Sequence, residues 1–501
     1  MSDAYGATTA GQTDPTARQP GARAAGGVGG VGGVGAAAAM QAAGADAASP
    51  LARWGEAVRA DAALQKYRPV GGWIDAPADL QPPLEGDVRA DVIVVGAGFA
   101  GLSTALELAA RGASVVVLER EFAGFGASGR NAGYLAGGQG LEYELFVKRV
   151  GHDQAKRIVG FYDEGVAYVE RKLADYAIDC DYRASGIIRA GVHPSQEKRL
   201  RESMETGIAL GSPAQFLDGA AMRARGIPPA FLFGAYVPGG GTLDPGKYVT
   251  GLRRAALAAG VKLYENTALL GFDEGENVRV RTARGSASAP VLVLATNAYT
   301  PQLGLLGDKV MPLRVSALET EPLSDAQLDA LGWPNREGIV TPHLTMESHR
   351  LTARNTLLLT TKRLHYVYGS QTPNVPDDDA YRALAKTLHA RFPQLGTVPV
   401  RACWSGYISF AGDALPVVGA AGAHRNVFYT AGCSGHGVGT QSLIGRVLAE
   451  RIHDGQSPLL DTLTHKTPSV PWEPLRWCAV TAMLGVANLL DERVNRKVRA
   501  T

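Results

Sequence analysis

The chain has almost no excess charge of either sign: its 501 residues set 50 Lys and Arg against 48 Asp and Glu, a formal net charge of +2. Without a basic excess there is no electrostatic footprint for nucleic acid, and that class of partner is set aside. Cysteine is scarce. Cys180, Cys403, Cys433 and Cys478 have neither metal-ligand spacing nor a disulfide-dense pattern, so no metal site is expected and a reducing compartment, the cytoplasm, fits. A basic start followed by a strong apolar stretch is also missing, so no signal peptide is read. The apolar run Leu475 to Leu490 is interrupted by Arg476 and Asn488 and is too short for a membrane span. It reads as a terminal helix packed on the body, ahead of a partner interface or membrane-surface contact. Membrane association is thus not expected, while a homo-oligomer is allowed.

Large apolar side chains are also nearly absent from residues 1–50, where "GARAAGGVGGVGGVGAAAAMQAAGADAASP" is of low complexity and cannot build a core. This segment is expected to be a disordered tail. Residues 51–87 read as a helical or irregular lead-in with several prolines. The pattern then sharpens in "ADVIVVGAGFAGLSTALELAARGASVVVLER", residues 90–120. Val92 to Val95 form a continuous apolar strand of the kind buried in a parallel sheet. Gly96, Gly98 and Gly101 follow as GxGxxG and open a helix. Gly112 ends that helix, Val115 to Leu118 make a second strand, and Glu119 stands at its end. Gly96 permits the tight turn, Gly98 lets a pyrophosphate reach the backbone, and Gly101 lets helix and strand approach closely. Free N–H groups at the helix start favour phosphate charge. Glu119 can accept hydrogen bonds from a ribose and opposes a 2′-phosphate, which disfavours NADP.

This βαβ unit alone does not separate FAD from NAD. The next segment, "GFGASGRNAGYLAGG" at 124–138, is bare of large side chains apart from a few, as though a ligand must lie against its backbone. A flavin ring fits that need, with Ser128, Arg130 and Asn131 as polar contacts. Arg130 is read as pairing with flavin or substrate charge, with a structural clamp on the loop as the alternative. Near the other end, "NVFYTAG" reads as a strand and "GVGTQSLIGRVLAERI" as a helix starting beneath Gly435, Gly437 and Gly439. Its positive end would stabilise negative charge on the pyrimidine side of a reduced flavin.

With these residues in view, the chain resembles the FAD-dependent D-amino-acid-oxidase-like superfamily that includes glycine and sarcosine oxidases. Its nearest likeness is to the gamma-glutamylputrescine oxidoreductase branch. The matching stretches are "PPLEGDVRADVIVVGAGFAGLSTALELAARG", "GASGRNAGY", "GGTLDPGKYVTGLRRAALAAGVKLYENT", "VLVLATNAY", "RACWSGYISFAGDALPVVG" and "AGCSGHGVGTQSLIGRVLAERI", spread over about residues 80–455. The resemblance implies an α/β plus α+β chain, with a Rossmann-like FAD-binding domain and a second domain built on a mixed or antiparallel sheet. The expected FAD-binding segments are 88–183, 242–298 and 403–455. The substrate domain would take 184–241 and 299–402, and 456–501 would be a C-terminal extension with an apolar helix.

The cofactor set expected on these readings is Gly96, Gly98, Gly101, Glu119, Arg120, Ala127, Ser128, Arg130, Asn131, Ala132, Leu269, Asp413, Gly435, Gly437, Val438, Gly439 and Thr440. Leu269 would lie where the family's backbone meets adenine. His436 matches the position where sarcosine-oxidase-like members place a His near flavin and substrate, with a loop-fixing role as the alternative. Those members carry a carboxylate-holding Lys where this chain has Gly439, which weakens the case for a simple N-methyl amino acid. Trp404 is a candidate wall of the flavin pocket and Tyr236 a candidate lining residue, with core packing as the alternative for both. Residues 124–138 contain no histidine, and Cys403 is spaced too far from Asp413 for the family's cysteine attachment, so non-covalent FAD is expected. The implied reaction is oxidation of an amine or amino-acid C–N bond by hydride transfer to flavin, with O2 reduced to H2O2. A dehydrogenase that passes electrons to a quinone or protein carrier, and a non-catalytic flavin-bearing subunit, are the competing readings.

Overall fold

In the computed structural model, residues 66–138 and 143–500 are described, with side chains to residue 498. The low-complexity tail and the start of the lead-in lie outside the described residues.

The continuous apolar runs become the strands of a six-stranded sheet. In spatial order these are Val417–Ala421, Val427–Ala431, Val291–Leu294, Val92–Val95, Val115–Leu118 and Lys262–Tyr264. All neighbours are parallel except the first pair, where Val417–Ala421 runs antiparallel to Val427–Ala431. Both faces must be covered, which is why these runs show no alternation. On one face Val92, Val94, Val115 and Val117 meet the helices Phe99–Ala109, Pro245–Ala258 and Gly437–His453. On the other, Ile93, Val95, Val116 and Leu292 meet Val278, Val280 and Ala287. These belong to a four-stranded sheet made by Gly86–Arg89, Gly285–Ala289, Val278–Arg281 and Gly271–Asp273. The amphipathic stretch after residue 142 forms two helices, Tyr143–Val150 and His152–Asp175, separated at Gly151, whose φ is +80°.

A nine-stranded, mostly antiparallel sheet forms the second domain. Its longest pair, at one end of the sheet, is Val310–Thr320 against Val400–Ala411, antiparallel over nearly their whole length. The one parallel pairing joins Gly338–Val340 to Ile187–Gly191. The helix Asp378–Arg391 inserts Tyr381, Leu384 and Leu388 into this domain's core. One boundary therefore differs from the sequence reading: residues 403–411 belong to the substrate sheet. The return to the nucleotide sheet comes only at Val417. The sequence reading began the last FAD-binding segment at residue 403, inside the strand Val400–Ala411.

The lead-in is structural. Tyr67 bridges to Cys403, and the Arg68 N–H donates to Cys403 O at 2.8 Å. Next, "VGGW" wedges between the glycine loop and the substrate sheet. A Cβ on Gly71 would lie 1.8 Å from Gly129 O, and one on Gly72 would lie 2.3 Å from the Trp404 ring. At the other end, the helix Leu475–Ala500 docks on the substrate domain rather than on the nucleotide sheet. Val480 and Leu484 pack with Met311, Leu313 and Tyr366. Asp491 accepts from Leu344 N and Thr345 N, both at 2.8 Å, and Arg391 Nη2 donates to Asn495 Oδ1 at 2.6 Å. Among the described residues, no helix is long and apolar enough to cross a membrane.

Candidate FAD and substrate site

The C-terminal ends of four parallel strands bring the sequence motifs together, which is where open α/β sheets bind ligands. Gly96, after Val95, has φ +103°, and its N–H donates to Leu118 O at 2.8 Å. Gly101 lies one turn into the following helix. A Cβ there would sit 1.8 Å from Gly96 O, so the close helix–strand approach read from sequence is a hard steric requirement. At Gly98 the nearest obstacle to a Cβ is Ser128 Oγ, 2.8 Å away. Ser128 also accepts the Phe99 N–H at 3.0 Å, and Ala97 O accepts the Gly124 N–H at 3.0 Å. The early glycine motif and the 124–138 loop are thus one surface.

Glu119 folds back on this turn. Its Oε2 accepts the Ala97 N–H at 2.8 Å and its Oε1 the Glu121 N–H at 3.1 Å. Burial pushes its carboxyl above the ordinary carboxylate pKa, and the two N–H donors only partly offset this. Glu119 O accepts the Thr267 N–H at 2.7 Å, which holds the segment reaching Leu269 beside the acid. Arg120 lies over the Tyr299 ring, 5.1 Å from its centroid.

The second glycine cluster follows Val427–Ala431. Gly435 has φ +92° and lies in the turn before the helix Gly437–His453. His436 is the N-cap of that helix and gives no side-chain cap; no acid occupies its first turn. The Phe99–Ala109 helix likewise has no side-chain cap from Gly98 and no acid in its first turn. Two helix starts therefore present N–H groups and positive dipole ends toward this region. The His436 ring meets the Tyr162 ring edge-on at 5.7 Å, and Asn297 Nδ2 donates to Cys433 Sγ at 3.5 Å. Around this helix start, three buried polar atoms have no protein partner: Tyr162 Oη, Asn297 Oδ1 and Gln441 Nε2. Buried polar groups are rarely left so. Val438 and Thr440 are buried, and Thr440 Oγ1 donates to His436 O at 2.7 Å, fixing the cap.

Gly439 packs backbone to backbone on Gly165: a Cβ on Gly439 would meet Gly165 C at 3.2 Å and O at 3.3 Å. Leu135 Cδ1, from the first glycine loop, lies 3.5 Å from the same point. A Cβ at Gly439 would therefore be tight against the Gly165 backbone.

Several candidate residues are spent on structure. Arg130 donates through Nε to Phe125 O at 2.8 Å, through Nη1 to Ser405 O at 2.9 Å and Asn374 Oδ1 at 3.1 Å, and through Nη2 to Pro69 O at 2.7 Å. These contacts are those of the clamp rather than of a charge partner for flavin or substrate. Asn131 Nδ2 bonds Ala127 O and Ser128 O while its Oδ1 accepts the Gly133 N–H, so this side chain shapes the loop. Ala132 O accepts from Arg350 Nη1 at 2.9 Å. Trp404 is fully buried, donates its indole N–H to Arg130 O at 2.9 Å and meets Trp73 edge-on. It supports the loop from beneath instead of walling a pocket. Tyr236 packs on the substrate-domain core, with its hydroxyl donating to Ser185 O at 3.4 Å and Arg225 over its ring. Cys403 is buried in that same core.

Asp413 is a turn anchor. Its Oδ1 accepts the Leu415 N–H at 3.2 Å, and its Oδ2 faces His465 Nε2 at 3.2 Å and Arg149 Nη1 at 3.5 Å. Burial opposes charge on His465, but the Asp413 carboxylate and Leu463 O outweigh it and raise the imidazole pKa. The protonated pair therefore stabilises the fold fully below the unfolded histidine value of about 6.5 and ceases to do so as pH rises through the folded pKa. Urea midpoints of the wild type and His465→Gln should differ at pH 6 and converge by pH 9. A difference independent of pH would show that the pairing does not involve the proton.

Sequence reasoning missed Trp73 and Arg350. Arg350 is buried, donates through Nη1 to Ala132 O, Gly133 O and Leu243 O, and has its pKa lowered by burial to about 10. It still carries its charge at neutral pH. Trp73 lies beneath both Arg350 and Arg354, at 5.0 and 4.9 Å, and donates to Asn131 O at 2.9 Å. The only sequence signal was the "GGW" triplet, which looked like a loop.

Comparison with known proteins agrees with this geometry. The family model described as FAD dependent oxidoreductase matches residues 91–451. A probable oxidoreductase, OrdL, of Haemophilus influenzae is 30% identical over 396 residues, covering 78% of this chain and 89% of that protein. Gamma-glutamylputrescine oxidoreductase of Escherichia coli is 33% identical over 376 residues, covering 73% and 84%. Among solved structures, glycine oxidase from Geobacillus kaustophilus superposes with a TM-score of 0.65 at 22% identity, covering 76% of this chain and 99% of that one. The match over most of its length, on a sheet with a glycine turn ahead of each of the helices Phe99–Ala109 and Gly437–His453, places this chain in the FAD-dependent oxidoreductase family.

Proposed function

We propose that the protein oxidises the C–N bond of a small amine or amino acid with FAD held non-covalently, and that O2 is the electron acceptor. The observation that carries this reading is that the helix starts at Phe99 and Gly437 get no side-chain cap from their own N-cap residues, and that Ser128 of the 124–138 loop bonds the first of them. On this reading Gly96, Gly98 and Ser128 receive the pyrophosphate, Glu119 the ribose and the backbone at Leu269 the adenine. The helix start at Gly437 and Val438 faces the pyrimidine edge. FAD supplies the hydride acceptor and returns both electrons to the final oxidant. The protein's own share is to hold the substrate nitrogen neutral and its C–H aimed at the cofactor, in a site that sheds water. His436 and Tyr162, ring edge to ring face, are the polar groups placed for that work. The substrate leaves as an imine, which water hydrolyses to a carbonyl compound and an amine or ammonia.

Gly439 bears on the substrate class. On this reading a glycine here, where a Cβ would already be tight against Gly165, favours amines, including polyamines and their gamma-glutamyl derivatives, over N-methyl amino acids. The relatives named for gamma-glutamylputrescine and glycine support the same chemistry. The test is anaerobic mixing of the purified protein with a panel of amines and N-alkyl amino acids. Loss of the oxidised flavin absorbance with at least one amine is the expected result, and a broad panel without bleaching would point to a non-catalytic flavin subunit. Fast reoxidation in aerated buffer supports the oxidase reading; very slow reoxidation supports a quinone or protein acceptor.

A further inference from the structure

The helix Leu475–Ala500 is apolar on two sides, yet the protein covers only one. Arg476, Val480, Leu484, Asp491 and Asn495 face the substrate domain and are buried. At about 100° per residue, Leu475, Val486 and Leu489 fall on the opposite side, with Met483 and Leu490 on the flank beside them, and they are 41–61% exposed. Trp472, just before the helix, is exposed by 68%, and Trp477, on the far side of the helix from Leu475, by 40%. Leu344 and Met346, in the turn that Asp491 anchors, extend the stripe sideways and are also exposed. Among the described residues, most of the large exposed apolar side chains lie in this one patch. A surface helix normally turns a polar face to water, and a helix apolar all round implies cover on both sides.

The charge on the same side indicates what the cover is. Arg493 and Lys497 continue the exposed stripe beyond Leu490, and Arg496 is exposed beside them. A second copy of the chain would have to answer these cations. Parallel self-pairing of the helix would put the basic ends together. Antiparallel self-pairing would bring them to the partner's Trp472 end, where the nearby Glu473 is already taken up by Tyr366, Gly369 N and Trp477 N. Two-fold pairing is self-complementary by symmetry, and this surface is not.

We propose that this face is a membrane-surface anchor: the helix lies in the plane of a bilayer, with its aliphatic stripe and Trp472 among the acyl chains and headgroups. Arg493, Arg496 and Lys497 bind anionic headgroups. Amphipathic helices with this arrangement bind interfaces without spanning them. The anchoring is independent of the proposed reaction, because the stripe faces away from the domain on which the helix docks.

The test is flotation of the full-length protein with vesicles of phosphatidylcholine alone, or with added phosphatidylglycerol, at low and high salt, beside its mass in solution. Binding is expected at least tenfold tighter to the anionic vesicles and weaker in high salt. V486E/L489E should lose at least tenfold in binding with an unchanged unfolding midpoint, and R493E/K497E should lose the anionic preference. The second variant decides the matter if the first fails to fold. Absence of vesicle binding by the wild type, or equal binding by wild type and both variants, overturns the proposal. So does a dimer that R493E/K497E leaves intact and that V486E/L489E dissolves, without lipid binding.

Discussion

Gly101→Ala is expected to give a protein that is destabilised by about 3 kcal/mol or more and retains less than a tenth of its flavin. The added methyl would lie 1.8 Å from Gly96 O, 3.0 Å from Gly96 C and 3.3 Å from Val94 Cγ1. All three are parts of a buried strand and its turn, so nothing flexible can move aside. Relief requires the Phe99–Ala109 helix to lift from the sheet, and that helix also supports Gly437–His453, where a Cβ on Gly445 would lie 2.5 Å from Ser103 Cβ and 2.7 Å from Thr104 N. Overpacking of this kind costs about 1–3 kcal/mol when neighbours can yield, and more when they cannot. Two other glycines supply the controls. Gly112 has φ +85° with open space around it, so alanine there meets only backbone strain of about 1 kcal/mol. Gly160 is exposed in the helix His152–Asp175, with nothing within 4 Å. Alanine there should stabilise by about 0.5–1 kcal/mol through helix propensity. Urea unfolding together with the flavin-to-protein absorbance ratio reads all three. A Gly101→Ala protein as stable and as yellow as Gly160→Ala would show that the strand and helix are not in contact.

The contrast among these glycines marks how far the sequence could be read. Gly96 and Gly101 act as their spacing suggests, because GxGxxG between two apolar strands describes local geometry within one βαβ unit. Local periodicity likewise announced Val427–Ala431, Gly437–His453 and Asp378–Arg391. Long-range partners left no such trace. The contacts of Arg130 with Pro69, Asn374 and Ser405 span 61, 244 and 275 residues, and no local pattern encodes them. For the same reason Trp404, beside a charged residue near the second motif, looked like a pocket wall but is a fully buried support. Residues 403–411 were misplaced because one twelve-residue strand, Val400–Ala411, carries the substrate sheet almost up to the flavin motif. The last helix packs on the body as the sequence reading expects. An interrupted apolar run suggests burial, and only the structure shows that one side alone is covered.

Arg130→Met should cost about 3 kcal/mol or more and weaken FAD retention, yet leave the substrate KM at saturating FAD nearly unchanged. The side chain is 7% exposed and makes hydrogen bonds to three backbone carbonyls and one side-chain amide oxygen. Among the described residues, no carboxylate pairs with it. Burial lowers its pKa, and the carbonyl dipoles with the Phe125 ring 4.6 Å away compensate the charge. Methionine keeps most of the volume but leaves those acceptors unpaired, at about 1–3 kcal/mol for each that water cannot reach. Lysine keeps the charge without the planar fork, so Arg130→Lys should fall between methionine and wild type. The two roles weighed for this residue diverge in one measurement. A clamp lost from Pro69, Phe125 and Ser405 loosens the lead-in, the glycine loop and the substrate strand together, which lowers the urea midpoint and raises the FAD Kd. A charge partner for the substrate would instead raise substrate KM, by a hundredfold or so for a lost charge-assisted hydrogen bond, in a protein of normal stability and flavin content. That second outcome would remove Arg130 from the scaffold and restore it to the site.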